Sequence, residues 1–140
     1  MRNRYFNFTG KMSTKTYGYI GNVIYQIDSI LTNQLSDGKT LYVGDYSPTR
    51  VDEWAKEIAQ LTGSHVYTIP RIFVRLAAYL GDFAGILKLR FPMNSFRYKN
   101  MTTDNVLDLS ATQLFAPDTK FTRNEGNTLT IEWMRQYHKK

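Results

Sequence analysis

The chain has 140 residues, 42% of them hydrophobic and 14% aromatic, with no cysteine and a formal net charge of +6. That length holds one domain or part of one, the apolar content excludes a disordered chain, and the lack of cysteine excludes disulfides and thiolate metal sites. The charge suits an anionic partner, yet it is spread along the chain without RNA-binding aromatic signatures or zinc-finger spacing, so a nucleic-acid partner is not expected.

The opening MRNRYFNFTG has no apolar h-region and does not read as a secretory signal. The lack of cysteine fits a reducing cytoplasm. Alternating aromatic residues predict a short strand over 4–8, and 15–20 reads as a second. From Asn22 apolar residues recur at 23, 24, 27, 30, 31 and 35. This is helical spacing, with Asn22 as N-cap and Asp37-Gly38 as the stop. KTLYVG, 39–44, reads as a compact strand. A helix follows, capped by Thr49, with Asp52 and Glu53 on the positive end of its dipole and Gly63 closing it. HVYTI, 65–69, is another strand, and Pro70 opens a long helix that Pro92 ends.

The stretch Ile72–Leu89 within that helix is strongly apolar, but it contains Arg75, Asp82 and Lys88 as well as Gly81 and Gly85. Charges at bilayer depth are costly. The stretch therefore reads as a helix buried inside a soluble protein, and no membrane partner is expected. NVLDL, 105–109, is a short extended piece, and Ser110 caps a turn of helix reaching Phe115. A final helix starts near Asn124, with Leu129, Ile131, Trp133 and Met134 for packing. Strands alternating with helices give an α/β class with few strands and several helices, in a single domain or fragment over 1–140 without a separate linker.

Gly18-Tyr19-Ile20-Gly21 raises the question of a dinucleotide-binding turn. Such a turn needs three glycines after a buried strand. Thr9-Gly10-Lys11-Met12-Ser13-Thr14-Lys15 cannot form that strand, and the third glycine is missing.

Three segments carry a family resemblance. Lys15-Thr16-Tyr17-Gly18-Tyr19-Ile20-Gly21-Asn22-Val23 resembles the R-D-Y-I/V-x-V-x-D-L/V segment of extended short-chain dehydrogenases/reductases, the NAD-dependent epimerase/dehydratase family. Leu41-Tyr42-Val43-Gly44-Asp45, with the helix through Trp54 to Gly63, is similar to that family's next run. Phe96-Arg97, Leu107-Asp108-Leu109-Ser110-Ala111, Asn124-Glu125-Gly126 and Ile131-Glu132-Trp133 resemble the close of its C-terminal half. The segments keep the family's order across nearly the whole chain.

The resemblance implies the substrate-binding C-terminal half of a nucleotide-sugar epimerase, dehydratase or reductase. It makes TYGYIGN the hinge from a strand into a helix. It implies that Lys15 and Arg97 hold a substrate diphosphate, Lys15 standing where the family has arginine, and that Tyr17 lines the pocket. It implies NAD or NADP in the full-length enzyme, with none bound by this chain alone. The family's G-x-x-G-x-x-G loop and Y-x-x-x-K pair lie upstream of these segments and are not in this sequence, since none of its tyrosines has a lysine four residues on. No catalytic residue is therefore expected. His65 and His138 are far apart with no acidic partner nearby, so no metal site or triad is expected. The expected partner is a nucleotide-sugar or related anionic small molecule. The alternative is a non-enzymatic binding or partner-docking module of the same descent, associating as a homodimer through an exposed apolar face.

Overall fold

Phe6-Asn7-Phe8 forms a strand whose two aromatic rings pack toward the core. The computed structural model describes residues 6–10 and 12–137, and the part of the first predicted strand at residues 4 and 5 lies outside them. The described residues run β1 (Phe6–Phe8), β2 (Thr14–Lys15), α1 (Ile20–Leu31), a 3-10 turn (Gln34–Ser36), β3 (Thr49–Arg50), α2 (Val51–Thr62), β4 (Tyr67–Ile69), α3 (Arg71–Ile86), α4 (Ser95–Thr102), α5 (Ser110–Gln113) and α6 (Arg123–Tyr137). The class is α/β, as expected, with short strands and several helices. β1 pairs in parallel with β4, Phe6 opposite Tyr67 and Phe8 opposite Ile69, and β2 pairs with β3.

The chain forms two compact units. The first comprises the described residues up to Thr14 together with Arg50–Asn105; the second comprises Lys15–Thr49 together with Val106 to Tyr137.

In the first unit the core gathers Phe8 of β1, Met12 and Val74 of α3, with Val51, Ile69, Met93, Tyr98 and Met101 packed around them. β1 is fastened to the start of α3 by the Thr9 amide on the Ile69 carbonyl (3.0 Å) and by the Arg71 amide on the Thr9 hydroxyl (3.1 Å). α2 carries Asp52 and Glu53 in its first turn, and Gly63 closes it with a left-handed φ of 65°. Thr49 is not its cap. The helix starts at Val51 after an extended Arg50 with no side-chain cap, and Thr49 lies buried in β3.

The second unit buries Leu109, Ala116 and Ile131, and polar side chains tie its loops to its helices. Asn22 and Gln26 stand one turn apart on α1 and are both buried. Gln26 donates to the Gly44 carbonyl at 2.7 Å and accepts from the Gly44 amide at 2.9 Å. Asn22 donates to Asp45 at 2.8 Å and both donates to and accepts from the Phe121 backbone at 2.9 Å. Asn22 is therefore not a cap: α1 begins two residues earlier, after Tyr19, and the amide holds two loops to the helix.

The predicted strand over 39–44 does not form. Its backbone groups are taken by side chains instead, the Gly44 pair by Gln26 and the Tyr42 carbonyl by the Thr112 hydroxyl at 2.5 Å. The strand predicted over 15–20 shrinks to β2, because α1 starts at Ile20. α6 opens on a capping box. The Thr122 amide donates to the Glu125 carboxylate at 2.7 Å, and the Glu125 amide returns a bond to the Thr122 hydroxyl at 3.3 Å. The Thr122 amide and hydroxyl, both donating to the carboxylate, hold the Glu125 carboxyl below its ordinary range.

The long helix differs most from expectation. α3 ends at Ile86, well short of Pro92, and α4 forms where the sequence predicts no helix. Nor is α3 a buried helix, because Val74, Ala78 and Gly81 are its buried residues while its large apolar side chains are exposed.

Gln26 satisfies two buried backbone groups that no strand pairing can reach. Replacing it with Leu should lower the unfolding free energy by about 2–4 kcal/mol, the scale of two unsatisfied groups. Urea denaturation would show this as a lower midpoint at unchanged slope; an unchanged midpoint would show that Gln26 does not hold this loop.

Candidate functional site

The chain returns from α3 to α4 through Leu87–Asn94, and this return builds a cleft of about 510 Å³ in the first unit. It begins with a backbone reversal: Lys88 takes a left-handed φ of 55°, unusual for a residue with a side chain. The chain then runs back along the small-residue face of α3. At Gly81 a methyl group would overlap the Met93 carbonyl oxygen, so only glycine permits the approach. One turn on, Gly85 has nothing within 4 Å of that position, and it forms an open wall of the cleft.

Two cations line this space, Arg90 on the returning segment and Arg97 on α4. Arg97 is held in place through its backbone and its side chain. Its amide donates to the Asn94 side chain at 2.9 Å, capping α4, and its guanidinium donates to the Pro92 carbonyl at 2.5 Å. Asp82 accepts from the Ser95 amide at 3.0 Å, fixing the start of α4 to α3. The Ser95 side chain and backbone hydrogen bonds favour the ionised form and hold the Asp82 carboxyl below its ordinary 3.8. Leu89, Phe91 and Pro92 supply the apolar side of the cleft. Two arginines beside an apolar wall suit an anion attached to a flat or apolar group.

A second cleft, of about 440 Å³, lies in the other unit between Tyr46 and the 106–113 segment. Among the described residues no cation lines it, and Asp108 contributes a carboxylate kept ionised by the Ser110 amide at 2.9 Å. An anion would meet repulsion there.

Of the residues implied to bind substrate, Arg97 lies in the first cleft. Lys15 and Tyr17 belong to the second unit, where both are half-buried and neither lines the described cleft. Burial raises the pKa of the Tyr17 hydroxyl, and its carbonyl accepts from the Asp45 amide at 2.7 Å. Arg90 is not singled out by the sequence reading. The available signal is the run of cations with one carboxylate between Arg71 and Thr103.

The Gly18-Tyr19-Ile20-Gly21 turn is packed closely by its own chain. A methyl group at Gly18 would lie 2.7 Å from the Val23 side chain and 3.0 Å from the Gly44 backbone, and one at Gly21 would lie 2.7 Å from the Phe121 ring. These glycines admit the chain's own side chains and loop. No metal-binding cluster of His, Asp or Glu occurs among the described residues. No protein-family model matches the chain, and comparisons with curated proteins and with solved structures find no match.

The two glycines of α3 should respond in opposite ways. Gly81→Ala should cost at least about 2 kcal/mol, since the Met93 backbone must move. Gly85→Ala should stabilise by about 0.5–1 kcal/mol through helix propensity alone. Thermal unfolding of the pair measures both, and equal effects would contradict the close approach.

The lowered Asp82 pKa also has a direction in pH. Its stabilising contribution is complete above the ordinary carboxyl value and is lost as pH falls through the lower folded value. NMR titration should give a midpoint for Asp82 below 3.8; a midpoint above it would contradict the Ser95 tether.

Proposed function

We propose that this chain is the substrate-binding part of an NAD(P)-dependent nucleotide-sugar epimerase, dehydratase or reductase, and that the cleft between α3 and α4 receives the diphosphate of the substrate. The observation that carries the reading is the convergence of Arg90 and Arg97 on one cleft with an apolar wall. Two guanidinium forks match the oxygens of a diphosphate, and the apolar side suits the nucleoside or sugar. The order of the three family-like segments supports the same reading. The chemistry of such an enzyme, hydride transfer between a sugar carbon and the nicotinamide, is supplied by the cofactor and by the family's Y-x-x-x-K pair. With that pair and the phosphate loop missing from the sequence, the residues here bind and orient, and turnover by the chain alone is not expected.

Calorimetry with a UDP-sugar tests the reading. Arg97→Ala and Arg90→Ala should each weaken binding about 10- to 100-fold, the scale of a lost charge-assisted hydrogen bond. Gly85→Leu should block the cleft while leaving the protein folded. Loss of affinity from Lys15→Ala alone would move the diphosphate to the other unit. No binding by an intact fold would leave a non-enzymatic module as the reading, and turnover by the purified chain would contradict the division of labour.

A further inference from the structure

The cleft uses one side of α3; the other side faces outward and has no partner among the described residues. Ile72, Phe73, Leu76, Leu80, Phe83 and Leu87 follow helical spacing along this side, each at least half exposed, with Phe83 at 62%. Scattered apolar residues are normal on a surface, but an unbroken stripe of large ones marks a contact site. The helix is apolar on both sides for different reasons: small Val74, Ala78 and Gly81 pack inward, and bulky side chains point out.

Charge identifies the occupant. Between Arg71 and Thr103 the sequence holds six Lys and Arg and a single carboxylate, Asp82. Asp82 itself is engaged by the Ser95 amide. Cations also stand beside aromatic groups next to the stripe. The Arg71 guanidinium donates to the Tyr98 hydroxyl at 2.7 Å and lies over its ring, and Arg75 lies over the ring of Tyr79. An apolar stripe flanked by arginines and tyrosines has the composition of a helix lying in a bilayer interface, with acyl chains against the stripe and headgroups against the cations.

We propose that the outward face of α3 and the segment following it form a peripheral docking surface for an anionic lipid bilayer. The surface shares the basic segment with the cleft, Arg90 and Arg97 included, but its test rests on Arg75, Leu76, Phe83 and Lys88, which do not line the cleft. The proposal revises the expectation of no membrane partner, which rested on the cost of charges at bilayer depth. A helix lying in the interface leaves its charges at headgroup level, and no described helix is long and apolar enough to cross. A second copy of the chain fits the face less well, because an isologous contact would set one positively charged segment against another. A nucleic acid would satisfy the cations but leave the stripe in water.

Flotation of the purified protein with phosphatidylcholine vesicles, with and without phosphatidylserine, tests this. Binding should require phosphatidylserine and fall with salt. Leu76→Glu with Phe83→Glu should abolish it with the circular dichroism spectrum unchanged, since both side chains are exposed. Arg75→Gln and Lys88→Gln, which leave the stripe intact, should each weaken it about fivefold. Failure to bind anionic vesicles at low salt would overturn the proposal. So would self-association in sedimentation equilibrium that Phe83→Glu dissolves, or saturation of the stripe by a protein partner that excludes lipid.

Discussion

The near-contact between Gly81 and the Met93 carbonyl sets the geometry of everything around α3. With no side chain at residue 81, the chain leaving the helix can fold back along its small-residue side. Three consequences follow from that return. Met93 joins the core with Phe8 and Val74. Arg90 and Arg97 come to one cleft, with Asn94 and Asp82 fixing the turn of helix between them. And the large apolar side chains of α3, displaced from the packed side, face outward. Candidate site and apolar stripe are two sides of one helix whose inner surface is reserved for small residues.

The second unit is ordered by a different means. Buried amides of Asn22 and Gln26 meet backbone groups of the loops around Gly44 and Phe121, doing what a strand ladder does elsewhere. This gives the TYGYIGN segment its role within the described structure. It leads from β2 into α1, and its glycines let Val23, Phe121 and the Gly44 loop come close. The likeness to a nucleotide-binding turn is one of residue spacing.

Much of the fold could be read from the sequence where local chemistry decides it. The dipole-favouring start and glycine stop of α2, the strands at Phe6–Phe8 and Tyr67–Ile69, and the final helix all follow local signals. The failures are tertiary. The strand pattern of 39–44 loses because Gln26 and Thr112, distant in sequence, capture its backbone. Asn22 has the look of a cap, and only the positions of Asp45 and Phe121 show why it is buried. The apolar run in α3 signals burial, but which side is buried depends on the Gly81 contact. Arg97 could be named through a family resemblance, whereas Arg90 becomes visible only when the chain folds back beside it. Lys15 and Tyr17, named by the same resemblance, lie in the other unit, so the cleft described here is built from Arg90 and Arg97.

The most direct test of the central claim, that the α3–α4 cleft is the anion site, is an amide-resolved NMR spectrum recorded as a UDP-sugar is added. The account predicts the largest shifts at Arg90, Asn94, Ser95 and Arg97, in one fast or slow process, with the 106–113 segment unmoved. Shifts confined to 106–113, or to the residues around Lys15, with Arg90 and Arg97 unchanged, would contradict it.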